Sequence, residues 1–391
     1  MLTKLRIEGF KAVKSGELRL HPLTLLIGRN GSGKSSAVEA LQWLQEAALN
    51  GLQAATVDRF ESFDKLVNRR TDRIGLNLEW DAPGPRSTHV RYGLWVKQRT
   101  GQVATPPPIV EHEECVAGRT RRAQWIIRSR KGEKGPAVRS IHQGHPLRDG
   151  DALALSRLDA RSQPRAVTAF YEFIRTAVFL RLSPQAIAEY SAKTPRARGP
   201  KLDEAGHRLV ALISSLNQSQ RTRLTRRVQQ VLESVTGVRV NERGDQGQLV
   251  LRERMVSRGG RGEFDIPAPL LSEGTRRITA IFALLESDPR PPLIVIEEIE
   301  NGLDPWTLRF VLDALRDAAA EGTQFVLTTH SPYLLDLVAA EQVIHVTREH
   351  GDTSYHAMEE YAETVKYGNV ISPGALYISK YLSRAGQRSS S

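Results

Sequence analysis

Twelve consecutive residues, Leu25-Leu26-Ile27-Gly28-Arg29-Asn30-Gly31-Ser32-Gly33-Lys34-Ser35-Ser36, leave this chain few folds to choose from. Three apolar residues read as the end of a strand, and a glycine-rich loop follows. The apolar spacing from Ala37 to about Glu46 reads as an amphipathic helix. The loop fits G-x-x-x-x-G-K-[ST] in the strand–loop–helix setting that the pattern needs. Its glycines let successive backbone N–H groups converge on phosphate oxygens without a Cβ in the way. The helix N-terminus adds partial positive charge where an anion would sit. Asn30, Gly31, Gly33, Lys34, Ser35 and Ser36 are therefore the expected phosphate cradle. Lys34 is expected to reach the β- and γ-phosphates, and Ser35 to place its hydroxyl on Mg²⁺.

Two further strand ends carry chemistry. Pro291-Pro292-Leu293-Ile294-Val295-Ile296-Glu297-Glu298 reads as a central parallel strand, buried on both faces, that closes on two carboxylates. That end is where open α/β sheets bind ligands. Glu297 is expected to hold Mg²⁺, directly or through water, and Glu298 to orient and deprotonate the attacking water. Phe325-Val326-Leu327-Thr328-Thr329-His330-Ser331-Pro332 is another buried strand with a polar end, from which His330 can reach a γ-phosphate. Before both, Leu270-Leu271-Ser272-Glu273-Gly274-Thr275-Arg276-Arg277 opens an apolar helix running from Ile278 to Leu285. Ser272, Gly274 and the helix N-terminus form a second anion-binding device. Because the first loop already cradles the phosphates, this device makes most sense as a cap on the nucleotide of another subunit. The alternative is an ordinary serine N-cap with Glu273 in the first turn.

The chain has 391 residues, 40% apolar and 25% charged, with room for two or three cores. Its one cysteine, Cys115, excludes an intramolecular disulfide framework and suits a reducing compartment. The segment Met1–Ile7 alternates like a strand and lacks the apolar core of a signal peptide. No apolar run approaches the roughly 18 residues of a membrane span. The expected location is the cytoplasm. The net charge is +11, concentrated mid-chain: 12 Lys/Arg against 4 Asp/Glu from Arg119 to Arg165, and 9 against 2 from Lys193 to Arg227. Such a basic surface suits a polyanion, nucleic acid foremost, or an acidic protein partner.

In chain order, Leu2–Glu8, Glu17–Leu20 and Leu23–Ile27 read as strands, and residues 51–72 as helical and then polar. Short alternating runs separated by turn signals recur from Ile74 to about Ile141 and predict an antiparallel lobe. Residues 164–190 turn helical around one apolar run, Ala177–Leu180, and a Pro/Arg/Gly-rich break follows at Thr194–Pro200. Two short helices, broken near Asn217, fill 201–236, too short for a coiled-coil arm. Val238–Val240 and Leu249–Arg252 return to strand, and Gly386–Ser391 reads as a disordered tail. The expected segments are 1–72, the first half of the nucleotide-binding head; 73–163, a basic β lobe; 164–240, a helical subdomain; and 241–391, the second half of the head.

The order P-loop, Leu-Ser-x-Gly, apolar strand–Glu–Glu, Thr-His-Ser-Pro resembles the ABC-type ATPase heads of the RecF/SMC group. More narrowly, it is similar to the stand-alone RecF-like ATPases related to the OLD nucleases. Met1–Val13, Gly28–Ser36, Leu270–Ile281, Leu293–Pro305 and Phe325–Leu335 carry the likeness. It implies an α/β P-loop NTPase head: a mixed or parallel central sheet flanked by helices, with an antiparallel β lobe, a helical insertion and no long coiled coil. It also implies ATP and Mg²⁺ as ligands, with Lys34 and Ser35 as Walker A residues and Ser272 and Gly274 in the signature. Glu297 and Glu298 become the Walker B pair, Asp304 the D-loop acid and His330 the switch histidine. Gln185, after the apolar strand, is the candidate Q-loop residue at the metal. In this group two heads meet head to tail around ATP, which implies a homodimer or higher oligomer. This chain departs from the pattern in two places. Glu297 stands where many relatives have Asp, and Glu273 replaces a signature glycine.

Glu111-His112-Glu113-Glu114-Cys115 offers metal-ligand types, but a strand throws alternate residues to opposite faces, so no metal site is expected there. His142 and His145 read as loop residues. No Ser/His/Asp triad is visible. The sequence shows no acidic cluster for a fused metal-dependent nuclease domain, and about 45 residues after Val346 are too few for one. A transport ATPase is disfavoured by the 236 residues between Lys34 and Leu270. Two classes stay open. One is an ATP-hydrolysing machine that acts on DNA or controls a DNA-acting effector, in repair or anti-phage defence. The other is a nucleotide-dependent scaffold or sensor that holds a separately encoded toxin or nuclease without itself binding DNA.

Overall fold

The computed structural model describes residues 1–84, 88–98, 108–118, 124–128, 137–139, 144–146, 152–157, 165–194, 201–257, 260–361, 364 and 370–379. The chain divides into two compact units, Met1–Arg175 with Thr328–Ser391, and Thr176–Leu327. Most of the basic run Arg119–Arg165, His142, residues 195–200 of the Pro/Arg/Gly-rich break and the Gly386–Ser391 tail lie outside the described residues.

In the first unit, strand Leu2–Phe10 buries Leu2, Leu5, Ile7 and Phe10. It pairs antiparallel with Val13–Arg19 on one side and Arg73–Asp81 on the other. The sheet continues antiparallel through His89–Lys97, Ile109–Ala117 and Gln124–Arg128. The antiparallel strands expected after Ile74 are there, in a sheet that also holds Leu2–Phe10 and Val13–Arg19. The boundary expected between 72 and 73 runs through one continuous sheet, because pairing between distant segments leaves no mark in local alternation. Helix Arg165–Thr176 sets Val167, Phe170, Phe173 and Ile174 on one stripe. Phe170 packs on Trp80 and Tyr92 at ring separations of 5.8 and 5.5 Å, and Phe173 on Trp80 at 5.7 Å. Each such fully buried ring contributes about 1.5–3 kcal/mol.

Glu113, inside the acidic stretch of Ile109–Ala117, is buried and fully engaged. It accepts hydrogen bonds from Tyr92 Oη at 2.8 Å and from the N–H groups of Ala154 (2.7 Å) and Leu155 (3.0 Å). The carboxylate thus pins residues 154–155 to the sheet.

The same unit contains strand Leu23–Ile27, all five residues buried, paired in parallel with Val343–Glu349. A hairpin turn leads on to Asp352–Ala357, antiparallel to Val343–Glu349. The helix after the glycine-rich loop spans Lys34–Gln53 with a break at Gly51 (φ 89°), and its unbroken part already outruns the expected end at Glu46. Ala47 and Ala48 extend its buried stripe.

The second unit holds parallel strands Val178–Leu180, Leu293–Ile296 and the start of Gln324–Thr329, every residue buried. Helices Glu273–Leu285 and Pro305–Ala320 belong to it. Helices Leu209–Ser215 and Gln218–Val231 are separated at Asn217, whose side chain and that of Gln220 form a capping box. Val235–Arg243, Gln246–Ser257 and Gly260–Pro267 form an antiparallel sheet with the short strand Ser191–Ala192. Among the described residues no helix is long and apolar enough to cross a membrane, and none extends into a coiled-coil arm.

Candidate active site

Strand Leu23–Ile27 delivers Gly28 to the loop, and Gly33, at φ 107°, caps the helix that Lys34 begins. A Cβ on Gly33 would fall 2.2 Å from Thr353 Oγ1, and one on Gly28 would fall 2.3 Å from the Val346 carbonyl. Glycine is required at both. Three side chains of the C-terminal hairpin donate to successive loop carbonyls. Arg348 Nη1 reaches Gly31 O at 3.2 Å, Thr353 Oγ1 reaches Ser32 O at 2.8 Å and Tyr355 Oη reaches Gly33 O at 3.3 Å. In a trans peptide the C=O and N–H point opposite ways. Holding the Ser32 and Gly33 carbonyls toward the hairpin therefore turns the N–H groups of Gly33 and Lys34 away from it.

Lys34 is buried and curls over its own loop, with Nζ donating to Gly28 O at 2.7 Å and Arg29 O at 3.1 Å. His330 Nδ1 lies 3.4 Å from the same Nζ. Ser32 Oγ is buried with no hydrogen-bond partner among the described residues. A cradle that tolerates no Cβ, a buried ammonium and an orphaned hydroxyl fit a bound phosphate chain.

Beside the loop lies a cavity of about 850 Å³ lined in part by Arg29, Asn30, His345, Arg348 and Tyr377. His345 Nδ1 is 2.7 Å from Tyr361 Oη. Burial, reinforced by His356 and Arg29, lowers the His345 pKa to about 4.

In the second unit, the Glu297 N–H donates to Leu180 O at 2.8 Å, extending the parallel pairing by one residue. Glu297 is buried, and Glu298 stands half-buried at φ 50°, in the left-handed region. That backbone costs a non-glycine residue about 1–3 kcal/mol. The turn that holds it is closed by Asn301, whose N–H donates to Glu298 O at 3.0 Å and whose Nδ2 donates to Glu298 Oε2. Arg277 is half-buried; burial lowers its pKa, and the charges of Glu273 and Glu298 oppose that.

Ser272 is the N-cap of Glu273–Leu285. Its Oγ accepts from the Thr275 N–H at 3.1 Å and shares a hydrogen bond with Thr275 Oγ1 at 2.8 Å. A Cβ on Gly274 would meet Gly302 O at 2.3 Å, so this turn packs against the loop before Asp304. Asp304 caps Pro305–Ala320, accepting from the Trp306 and Thr307 N–H groups at 3.0 Å and from Thr307 Oγ1 at 2.6 Å. The bonds from Thr307 hold its carboxyl below the usual range. Gln185 is exposed in the short helix Pro184–Ala188, with Oε1 3.3 Å from Ser183 Oγ.

Within the first unit the fold brings Lys34 and His330 together; within the second it gathers Glu298 with Asn301, and Gly274 with Gly302. Sequence reasoning missed Arg348, Thr353, Tyr355 and Asn301. The alternation of Val343–Glu349 and the turn before Asp352 could have revealed the hairpin. That its polar side chains brace a loop more than 300 residues away could not be read from them.

Residues 23–336 match the family described as AAA domain, putative AbiEii toxin, type IV TA system. No curated protein sequence matches the chain. Among solved structures, an Smc head bound to the C-winged helix domain of ScpA is similar at 14% identity and a TM-score of 0.51, over 91% of this chain and 97% of that one. The SMC head domain from Thermotoga maritima matches at 16% identity and a TM-score of 0.47, over 91% and 98%. The Smc head from Pyrococcus furiosus with an extended coiled coil, bound to the C-terminal domain of ScpA, matches at 11% and 0.49, over 94% and 99%. The first of these likenesses bears on the fold alone, and that fold is the one of an Smc head domain.

Proposed function

The chain belongs to the AAA-domain family described as putative AbiEii toxin of a type IV toxin–antitoxin system, and from that premise we propose that it binds ATP and hydrolyses it between two copies set head to tail. The observation that carries this reading is the convergence of buried Lys34 Nζ and His330 Nδ1, 3.4 Å apart, over a loop built for phosphate. Bound ATP with Mg²⁺ supplies the scissile anhydride and a divalent charge that offsets the phosphates. Lys34 neutralises β- and γ-phosphate oxygens, while the N–H groups of Gly31, Gly33, Lys34, Ser35 and Ser36 orient them, with Asn30 at the mouth of the loop. Ser35 offers a hydroxyl to the metal and Glu297 a carboxylate, directly or through water; Gln185 is a further candidate ligand. Glu298 takes a proton from the attacking water, and its φ of 50° is the kind of backbone strain that clusters at active sites. His330 donates toward the γ-phosphate.

Ser272 and Gly274 of a second copy close the nucleotide, supported by the 13-residue helix whose N-terminus they form. Asp304 borders that contact. The extra carboxylate of Glu273 makes closure slower than a glycine would. The closed pair acts in the cytoplasm on DNA or on a DNA-acting effector, a reading supported by the mid-chain basic runs. A second reading draws on the toxin–antitoxin description of the family: the head is a nucleotide-dependent scaffold or sensor holding a separately encoded partner. A tight stoichiometric complex with a neighbouring gene product, without DNA binding, would favour it.

Glu298→Gln tests the ATPase assignment. The variant is expected to bind ATP, to lose roughly 10²–10⁴-fold in turnover, and to accumulate as an ATP-dependent dimer by light scattering. Hydrolysis at the parental rate would remove Glu298 from the base role.

A further inference from the structure

Helix Gln218–Val231 carries four arginines, and they divide between two faces. Arg223 and Arg227, one turn apart, each donate through Nε at 2.6 Å to buried Glu286 and so belong to the packing of the unit. Arg221 and Thr222 lie one turn before Thr225 and Arg226 along the other face. With strand Val235–Arg243, which contributes Arg239, they line a groove of about 510 Å³.

This groove is set up for anions. Arg221 is pre-oriented, with Nε on Leu216 O and Nη2 on Ser214 O, both at 2.9 Å. Arg226 and Arg239 are exposed. Two carboxylates whose charge acts on these arginines are already paired: Glu242, near Arg221, with Lys193 at 2.8 Å, and Asp265, near Arg239, with Arg252 at 2.7 Å. Ser214 also lines the groove, and its buried hydroxyl has no hydrogen-bond partner among the described residues.

We propose that this groove binds the phosphodiester backbone of a nucleic acid, an assignment that rests on the DNA reading given under Proposed function and gives it a place on the molecule. Phosphate contacts need only arginines, hydroxyls and backbone groups, which the groove supplies. Docking an acidic peptide calls for buried apolar or aromatic anchors. Here Val238 and Val240 are the large apolar lining residues, and among the described residues no aromatic ring lines the groove. Without a ring for base stacking, recognition is independent of sequence and sensitive to salt.

The test uses the full chain and fluorescence anisotropy, with a duplex DNA of about 30 base pairs and a duplex RNA of the same sequence. Salt is varied between about 50 and about 200 mM. The double variant Arg226→Gln/Arg239→Gln is expected to bind roughly ten- to a hundredfold more weakly near 0.1 M salt, with a log–log salt slope smaller by about two. Its melting temperature and its ATPase rate without nucleic acid should match the parent. Glu242→Gln, which removes a groove carboxylate, is expected to bind severalfold more tightly and provides a gain-of-affinity readout. Preference for one duplex identifies the nucleic acid; binding of either supports the phosphodiester assignment. If the double variant binds both duplexes as the parent does, the groove assignment fails while the DNA reading stands on another surface. A parent that binds neither duplex at about 50 mM salt overturns both. Tighter binding to poly-glutamate than to either duplex, abolished in the double variant, overturns the nucleic acid in favour of an acidic protein.

Discussion

Lys34 Nζ stands 3.4 Å from His330 Nδ1 although the two residues are 296 positions apart in the chain. Both are held by backbone geometry, Lys34 as the first residue of its helix and His330 immediately after strand Gln324–Thr329. Their roles are separable. Lys34→Ala removes the buried ammonium that neutralises the phosphates, and calorimetric titration is expected to show no ATP binding. His330→Ala leaves the cradle intact. Affinity should stay within a few fold, while turnover falls roughly 10²–10³-fold, as for loss of one transition-state donor. Equal loss of affinity in both variants would assign His330 to ground-state binding.

The hairpin that braces the loop makes a second prediction. Thr353 is buried and reaches Ser32 O at 2.8 Å, and its side chain occupies the space where a Gly33 Cβ would go. Gly33→Ala should abolish ATP binding, since the new Cβ meets Thr353 in a backbone conformation at φ 107° that L-residues avoid. Thr353→Val keeps the shape but drops one hydrogen bond worth about 1 kcal/mol, or roughly fivefold in affinity. Thermal melts of both variants separate a loosened loop from an unfolded one.

These residues mark how far the sequence could be read. The glycine-rich loop and the apolar strand before Glu297 are local patterns, legible because strand, loop and helix follow within a few residues. Pairing of Leu2–Phe10 with Arg73–Asp81 is not local, and the expected lobe boundary at 72/73 dissolves into that sheet. Gly260–Pro267 escaped notice because Glu263, Phe264 and Asp265 are all exposed, so no apolar alternation marks the strand. The bracing roles of Arg348, Thr353 and Tyr355 depend on the parallel pairing of Val343–Glu349 with Leu23–Ile27, again a long-range contact. At Gly274 the motif was legible but its reason was not: the residue gives way to the Gly302 carbonyl, a contact visible only in three dimensions.

Glu286 is a buried electrostatic anchor of the second unit, with a 4% exposed side chain between Arg223 and Arg227. Removing the buried carboxylate takes an acceptor from each of two guanidiniums, Arg223 half-exposed and Arg227 about a quarter exposed, on which the charge of Glu321 still acts. Glu286→Ala is expected to cost about 1.5–3 kcal/mol in urea unfolding, the loss of its charge-assisted hydrogen bonds. Glu286→Gln, which keeps the shape and one acceptor, should cost less. An equal cost for both would mean that the carboxylate's charge, and not its packing, holds this helix.

His345 supplies a pH dependence whose sign can be worked out. Burial, with His356 and Arg29 adding to it, lowers the His345 pKa from 6.5 to about 4. Between those values the unfolded chain binds a proton that the folded chain refuses, so stability rises with pH across that window. The contribution is complete above about pH 6.5, declines as pH falls, and is gone below about pH 4, a span of about 3 kcal/mol. Urea midpoints measured from neutral pH downward should therefore fall more steeply for the parent than for His345→Gln, which cannot protonate but can still hydrogen-bond Tyr361 Oη. The two curves should separate below about pH 6.5 by the equivalent of one proton. Parallel curves over that range would mean that His345 titrates normally and that its ring is open to water.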